Sequence, residues 1–372
     1  MGNGTMPNRA RRRVAVWGTG GVGTIAVRSV HARPDLELCG VWVHTPDKVG
    51  RDVGELAGVD PIGVAATDDT DLLLDAGLDC VVYAASGPQL DAVAVPDYEQ
   101  MLRAGVNVVT VTSAGLVHPP AFDTSVVERL EAAAREGGAS LYASGIEPGF
   151  AADQLPLTLL TLSDTVRQVR TQEIFSYDEY PVEFMMREVF GFGKGLDHQP
   201  IMAMEGVQSG TWGPPVRMVA DALGVELDRI RETYERELTP RRLEVACGVI
   251  EAGTVGAVRF ETIGVVDGED AIVIEHVNRM APDLAPGWPT AGREGTYRVV
   301  VEGAPSFTCE LVLGGPGTSS AEGMIATTMR IVNAVPAVCD AAPGLLSSLD
   351  LPLTLPVDPF RASAHPGSGA TS

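Results

Sequence analysis

Over the first 150 residues, short and wholly apolar runs alternate with amphipathic stretches. Residues 13–18 (RVAVWG) form an apolar run closed by glycine, after which the chain reads as a helix to about Ala32. Further apolar runs follow at 36–44 (LELCGVWVH), 79–86 (DCVVYAAS), 106–113 (VNVVTVTS) and 139–145 (ASLYASG). Helical patterns at Tyr98–Ala104 and Phe122–Gly137 lie between them, the second with Val126, Val127, Leu130 and Ala134 on one face. Strands without a polar face, separated by amphipathic helices, predict a parallel sheet covered on both sides. The expectation is an α/β chain with a doubly wound Rossmann domain over residues 13–150, preceded by a flexible leader over 1–12.

The texture changes near Gly149. From 165 to 176 and from 241 to 313 the chain reads as successive strands joined by short turns, with Asp267-Gly268 as a hairpin signal. This predicts a second, α+β domain over 151–320, built on an antiparallel sheet and concerned with substrate and dimerisation. A helical insert is expected at about 182–236. Its clearest part is Pro215–Tyr234, where Val219, Leu223, Leu227, Ile230 and Tyr234 fall at helix-like spacing. A last helix at about Ala321–Ala341, within a segment 321–350, is expected to pack back on the Rossmann domain. The polar tail 361–372 is expected to be disordered.

Gly18-Thr19-Gly20-Gly21-Val22-Gly23 follows the first predicted strand and opens the first helix, the context that gives a G-x-G-x-x-G pattern its meaning. The first glycine permits the turn, the second lets backbone approach a pyrophosphate, and the third lets helix pack on strand. The helix N-terminus then offers N–H groups and partial positive charge to the phosphates. At the end of the second strand an NAD site would carry a carboxylate for the ribose hydroxyl. Here the chain reads His44-Thr45-Pro46-Asp47-Lys48, then Arg51. Thr45, Lys48 and Arg51 suit a 2′-phosphate, which favours NADP; Asp47 leaves NAD open. Ala85, Ser86, Thr112 and Ser113, at the ends of the next apolar runs, complete the expected cofactor site.

Composition narrows the partners. The 372 residues carry 27 basic and 49 acidic side chains, a net charge of −22. Such a surface repels nucleic acid and anionic membranes, so the expected partner is a small-molecule substrate. No apolar run approaches the ~18 residues of a membrane span. Five cysteines, none in a CxxC pair, read as free thiols in a reducing compartment, and the expected location is the cytoplasm. No metal-ligand spacing is present.

The glycine motif, KVGRDVGEL at 48–56, NVVTVTS at 107–113, SGIEPGFAAD at 144–153, VRMVADALG at 216–224 and ATTMRIVNAVPAVCDAAPGL at 326–345 carry a resemblance. The first half resembles the N-terminal domain of dihydrodipicolinate reductases. The whole chain more closely resembles the 2,4-diaminopentanoate dehydrogenase and native amine dehydrogenase group. The resemblance implies NAD(P)-dependent chemistry at a C–N or C=O bond, and a homodimer. Two departures accompany it. The chain lacks the His-His pair of dihydrodipicolinate reductases. The glutamates that amine dehydrogenases carry after the NVVT-like strand fall here at Ala114 and Gly115.

Hydride transfer asks little of a protein beyond orientation and a proton donor or acceptor near the heteroatom. Glu147, in GIEPGF just past the fifth strand, is the first candidate, at a position where the group tends to carry a neutral amide. His118, past the fourth strand, is the second. Glu173, Tyr177, Phe184 and His198 flank the insert as candidate pocket residues. His276 reads as a wall position on a strand. An oxidoreductase is the leading function, and a non-catalytic NADP-binding sensor that has lost the family glutamate is the alternative.

Overall fold

The computed structural model describes residues 11–85, 90–293, 295–315 and 318–360. The leader before residue 11 and the tail from Arg361 lie outside the described residues. The chain divides into two compact units, residues 1–145 with 325–372, and residues 146–324.

In the first unit the apolar runs form strands β1 (Arg12–Trp17), β2 (Leu36–Trp42), β3 (Ala66–Thr67), β4 (Cys80–Tyr83), β5 (Asn107–Thr110) and β6 (Ser140–Ala143). With Gly344–Leu346 they make a seven-stranded sheet, in the order Gly344–Leu346, β6, β5, β4, β1, β2, β3. Every pairing is parallel. The helices are α1 (Gly21–Ala32), α2 (Val53–Leu56), α3 (Thr70–Leu74), α4 (Leu90–Arg103) and α5 (Thr124–Gly137). Val14 and Val16 of β1 share a core with Ala26, Val27 and Val30 of α1, and with Ile331, Val332, Val335 and Val338 near the C-terminus. Burying side chains of that size removes about 1.5–3 kcal/mol of exposure cost each. Arg12, read as leader, already opens β1, because its backbone pairs with Leu36. β3 and Gly344–Leu346 were not expected; two or three residues are too few to set a periodicity.

The second unit contains α6 (Gln154–Leu160), β7 (Thr165–Ser176), α7 (Val207–Leu223), β8 (Arg229–Leu238), β9 (Leu243–Val245), β10 (Gly248–Ile250), β11 (Val255–Val266), β12 (Glu269–Arg279), β13 (Thr296–Ala304) and β14 (Phe307–Val312). A helix α8 (Ser319–Asp340) follows. The main sheet runs β14-β13-β7-β12-β11-β8. Asp267 and Gly268, both at positive φ (51° and 81°), make the expected tight turn between β11 and β12. β7 and β12 pair in parallel, so the sheet is mixed rather than antiparallel. The long excursion after β7 returns the chain without a hairpin, which is how parallel neighbours arise.

The expected helix Pro215–Tyr234 is corrected. α7 ends at Leu223, where Gly224 takes a left-handed φ of 66°, and Ile230 and Tyr234 lie on β8. A four-residue spacing satisfies a strand period of 2 as well as a helical period of 3.6, so these two residues could not distinguish them. The sheet has two unlike faces. One packs Val258, Phe260 and Ile274 against Trp212, Val216 and Val219 of α7. The other carries ion pairs, Arg170 to Glu261 (2.5 Å) and Glu275 (2.6 Å), and Arg259 to Glu275 (2.7 Å).

Candidate active site

The glycine loop of the first unit has the form a dinucleotide needs. Gly18 sits at φ 100°, in the region only glycine enters readily. A Cβ on Gly23 would stand 2.1 Å from the Gly18 carbonyl oxygen, so helix and strand meet there without room for a side chain. Above Gly20 a Cβ would meet nothing within 4 Å, and no side chain caps the α1 N-terminus. That open, capless helix end is a fit for a pyrophosphate. Gly21 and Val22 form its first turn. Lys48 donates to the Thr19 hydroxyl (2.9 Å), bringing its ammonium to the loop. His44, Thr45 and Arg51 are exposed beyond β2. Thr112 donates to the Ala85 carbonyl (2.7 Å), tying the ends of β4 and β5, and Ser113 is buried beside Tyr98. Ser86 lies outside the described residues.

In the second unit a row of side chains crosses the sheet on the face covered by α7. Tyr297 of β13 pairs with Glu173 of β7, Glu173 with His276 of β12, His276 with Phe260 of β11, and Phe260 with Tyr234 of β8. Strand alternation puts all five on one side. Glu173 accepts from the Tyr177 hydroxyl (2.7 Å) and the Asn278 amide (3.2 Å). Burial raises the Glu173 pKa, opposed by Tyr177, Asn278 and Tyr297. The His276 ring stacks on Phe260 (centroids 4.5 Å, planes 4° apart) and lies 4.4 Å from the Trp212 ring. Burial pushes its pKa down to about 3, so the ring is neutral.

Glu147 meets this row. Its Oε1 is 4.0 Å from His276 Nε2, with both side chains about 95% buried (5% and 4% exposed). Burial pushes the Glu147 pKa well above the usual 4.5, and the charges of Glu173 and Asp153 push it further. The Trp212 indole N–H opposes this shift by favouring the carboxylate. Burial and the neighbouring carboxyl both favour the protonated form of Glu147. The arrangement is a buried acid with an aromatic wall, suited to proton transfer at a substrate heteroatom.

Of the sequence candidates, the second unit joins Glu147, Glu173 and Tyr177. His198 lies elsewhere on that unit, facing Glu188 (3.9 Å), and Phe184 is 63% exposed. His118 belongs to the first unit, buried between two 3₁₀ turns, Ala114–Val117 and Pro119–Ala121. Ala114 and Gly115 open the first of these turns, with no carboxylate at either position. Trp212, Phe260, Asn278 and Tyr297 were not anticipated. The alternation of Phe260, Asn278 and Tyr297 along β11, β12 and β13 was visible, but the strand order that aligns them, and the packing of Trp212 of α7 over them, are set by the tertiary structure. A cleft of about 550 Å³ at the sheet edge, lined by Gln208, Ser209, Glu232 and Tyr234 among others, touches the row only at Tyr234. Among the described residues no acidic, His or Cys group could hold a metal, and no helix is long and apolar enough to cross a membrane.

Comparison with known proteins places these features. Residues 150–360 match the 2,4-diaminopentanoate dehydrogenase C-terminal domain, and residues 12–115 match the N-terminus of dihydrodipicolinate reductase. An amine dehydrogenase of Streptomyces virginiae is 44% identical over 347 residues, covering 91% of this chain and 95% of that protein. A 2,4-diaminopentanoate dehydrogenase of Acetoanaerobium sticklandii is 24% identical over 358 residues, covering 92% and 93%. Among solved structures, an amine dehydrogenase of Mycobacterium smegmatis superposes with a TM-score of 0.73 at 20% identity, covering 95% of this chain and 99% of that one. At that identity the likeness shows the fold.

Proposed function

The chain belongs to the 2,4-diaminopentanoate dehydrogenase and amine dehydrogenase family, oxidoreductases that use NAD(P), and on that premise we propose that it interconverts a primary amine and a carbonyl compound with NADP, using Glu147 as its acid–base group. The observation that carries this reading is the Glu147 carboxyl, buried with a raised pKa beside Glu173, His276 and Trp212, in a chain whose family glutamate positions hold Ala114 and Gly115. A buried acid of this kind takes over the proton transfers for which those glutamates would be used. The nicotinamide supplies the hydride acceptor or donor. Glu147 gives a proton to the leaving heteroatom and recovers it in the reverse direction. Glu173, held by Tyr177 and Asn278, pushes the Glu147 pKa further up through its charge. His118, Phe184 and His198 are secondary candidates in the same reading. The sensor alternative draws no support from relatives that are named dehydrogenases.

A spectrophotometric screen tests this function directly. Ketones, aldehydes and cyclic imines are offered with NADPH, each with and without ammonium. The expected result is ammonium-dependent NADPH oxidation with at least one carbonyl compound. Oxidation that never depends on ammonium would instead make the chain a ketone or imine reductase.

The choice of NADP over NAD rests on Thr45, Lys48 and Arg51 beyond β2, where no carboxylate ends the strand. Neutralising Lys48 and Arg51 together is expected to weaken NADPH binding and leave NADH nearly unchanged. Each lost charge-assisted contact is worth about 1.5–3 kcal/mol. Calorimetric titration with both cofactors checks it, and equal losses would show that neither residue reads the phosphate. The homodimer and the cytoplasmic location belong to the same proposal, the first from the family resemblance and the second from the five free cysteines.

A further inference from the structure

We infer that Glu147 and His276 together form the binding position for the small co-substrate of this chemistry: ammonia in the aminating direction, water in the deaminating one. Both molecules offer a lone pair and at least two N–H or O–H donors. The inference rests on the amine–carbonyl reading above and adds a residue, a ligand and a geometry to it.

Glu147 Oε1 and His276 Nε2 and Nδ1 are buried and without a hydrogen-bond partner among the described residues, and the Trp212 indole N–H beside Glu147 favours its carboxylate. They come from three separate elements, the loop before α6, β12 and α7. Buried polar groups in folded proteins are nearly always paired, by protein, water or ligand. The 4.0 Å between Glu147 Oε1 and His276 Nε2 is too long for a direct hydrogen bond. One atom bonded to both would hold them about 4–5 Å apart. The ring cannot turn away, because Phe260 lies parallel to one face and Trp212 packs against it. Its neutrality leaves one nitrogen free to accept.

Ammonia, the neutral form in exchange with ammonium, enters the site while Glu147 holds its proton. Ammonia then donates one N–H to His276 Nε2 and one to Glu147, which leaves its lone pair for the carbonyl carbon. The C–N bond forms. The carbonyl oxygen takes one proton from nitrogen and one from Glu147 and departs as water, leaving an iminium ion and the Glu147 carboxylate. A bound nicotinamide cofactor would supply the hydride that completes the amine. In the reverse direction water occupies the same position and attacks the iminium.

His276→Phe tests the assignment, since it keeps a flat ring between Phe260 and Trp212 and removes both nitrogens. With a carbonyl substrate that supports ammonium-dependent oxidation, the apparent KM for ammonium is expected to rise at least tenfold. The carbonyl KM, NADPH affinity and Tm should change little. His276→Gln, which returns an amide near the Nε2 position, is expected to recover part of the ammonium KM. A packing role alone would lower Tm without moving the ammonium KM selectively. If His276→Phe does not fold, His276→Asn, which cannot reach the bridging position, should show the same selective rise. An unmoved ammonium KM in a folded Phe or Asn variant overturns the inference and leaves the function standing. A wild-type enzyme with no ammonium-dependent activity overturns both.

Discussion

Glu147→Gln is expected to lower turnover by roughly 10²–10⁴-fold, the usual loss when a general acid is removed, while NADPH affinity and fold are retained. The amide keeps the shape of the side chain and loses only the titrating proton. The loss should be this large because no family glutamate stands at Ala114 or Gly115 to take over. Rate and binding are measured separately, by steady-state kinetics and fluorescence titration. If Glu147 were only a brace for the loop before α6, the variant would lose Tm but keep turnover in its folded fraction. A stable and fully active variant would reject both roles and turn attention to His118.

The same substitution carries a pH signature. The Glu147 pKa is raised on folding above its usual 4.5, so the folded state favours the protonated form. Its contribution to stability is complete below about 4.5 and is lost as pH rises through the raised value. The Tm of Glu147→Gln should therefore gain on that of the wild type as pH rises above the ordinary carboxyl range. His276 behaves oppositely. Its pKa falls from 6.5 to about 3 on folding, so its contribution is present above 6.5 and is lost as pH falls toward 3.

Gly20→Asp is expected to abolish NADPH binding, with at least a 100-fold loss, about 2.7 kcal/mol, while the protein stays folded. Its backbone, at φ −78°, is ordinary for any residue, and an added Cβ meets nothing within 4 Å. The new carboxylate would occupy the space and repel the charge of the pyrophosphate at the α1 N-terminus. Unchanged circular dichroism with lost binding is the expected pair of results. Undiminished binding would remove the loop from the cofactor site. Gly23 is a poor choice for this test, since a Cβ there would overlap the Gly18 carbonyl and confuse binding with folding.

Much of the first unit was legible because its signals are local. An apolar run, a G-x-G-x-x-G turn and an amphipathic helix each announce themselves within a few residues, and a parallel sheet needs no cross-strand matching of polar and apolar faces. The glycine loop was readable for the same reason. Gly18, Gly20 and Gly23 all lie within one strand-to-helix turn. The mixed sheet of the second unit was legible only in part. Its strands could be recognised, but Ile230 and Tyr234 fitted either period, and only pairing of β8 with β11 decided for a strand.

The sequence by itself determined the Rossmann half, the glycine loop and the membership of the chain in its family, and it singled out Glu147 as a candidate carboxyl just past the last strand before the second unit. Only the tertiary structure decided what Glu147 meets. His276 read as a wall residue because Ile272 and Ile274 precede it on the same face. It faces Glu147 because β7, β12 and β11 align Glu173, His276 and Phe260 in one row, and because α7 lays Trp212 over it. Apart from the β11–β12 hairpin, those segments are separated by tens of residues along the chain. Their register comes from backbone pairing and from the close packing of large side chains, and both act only after the chain has folded back on itself.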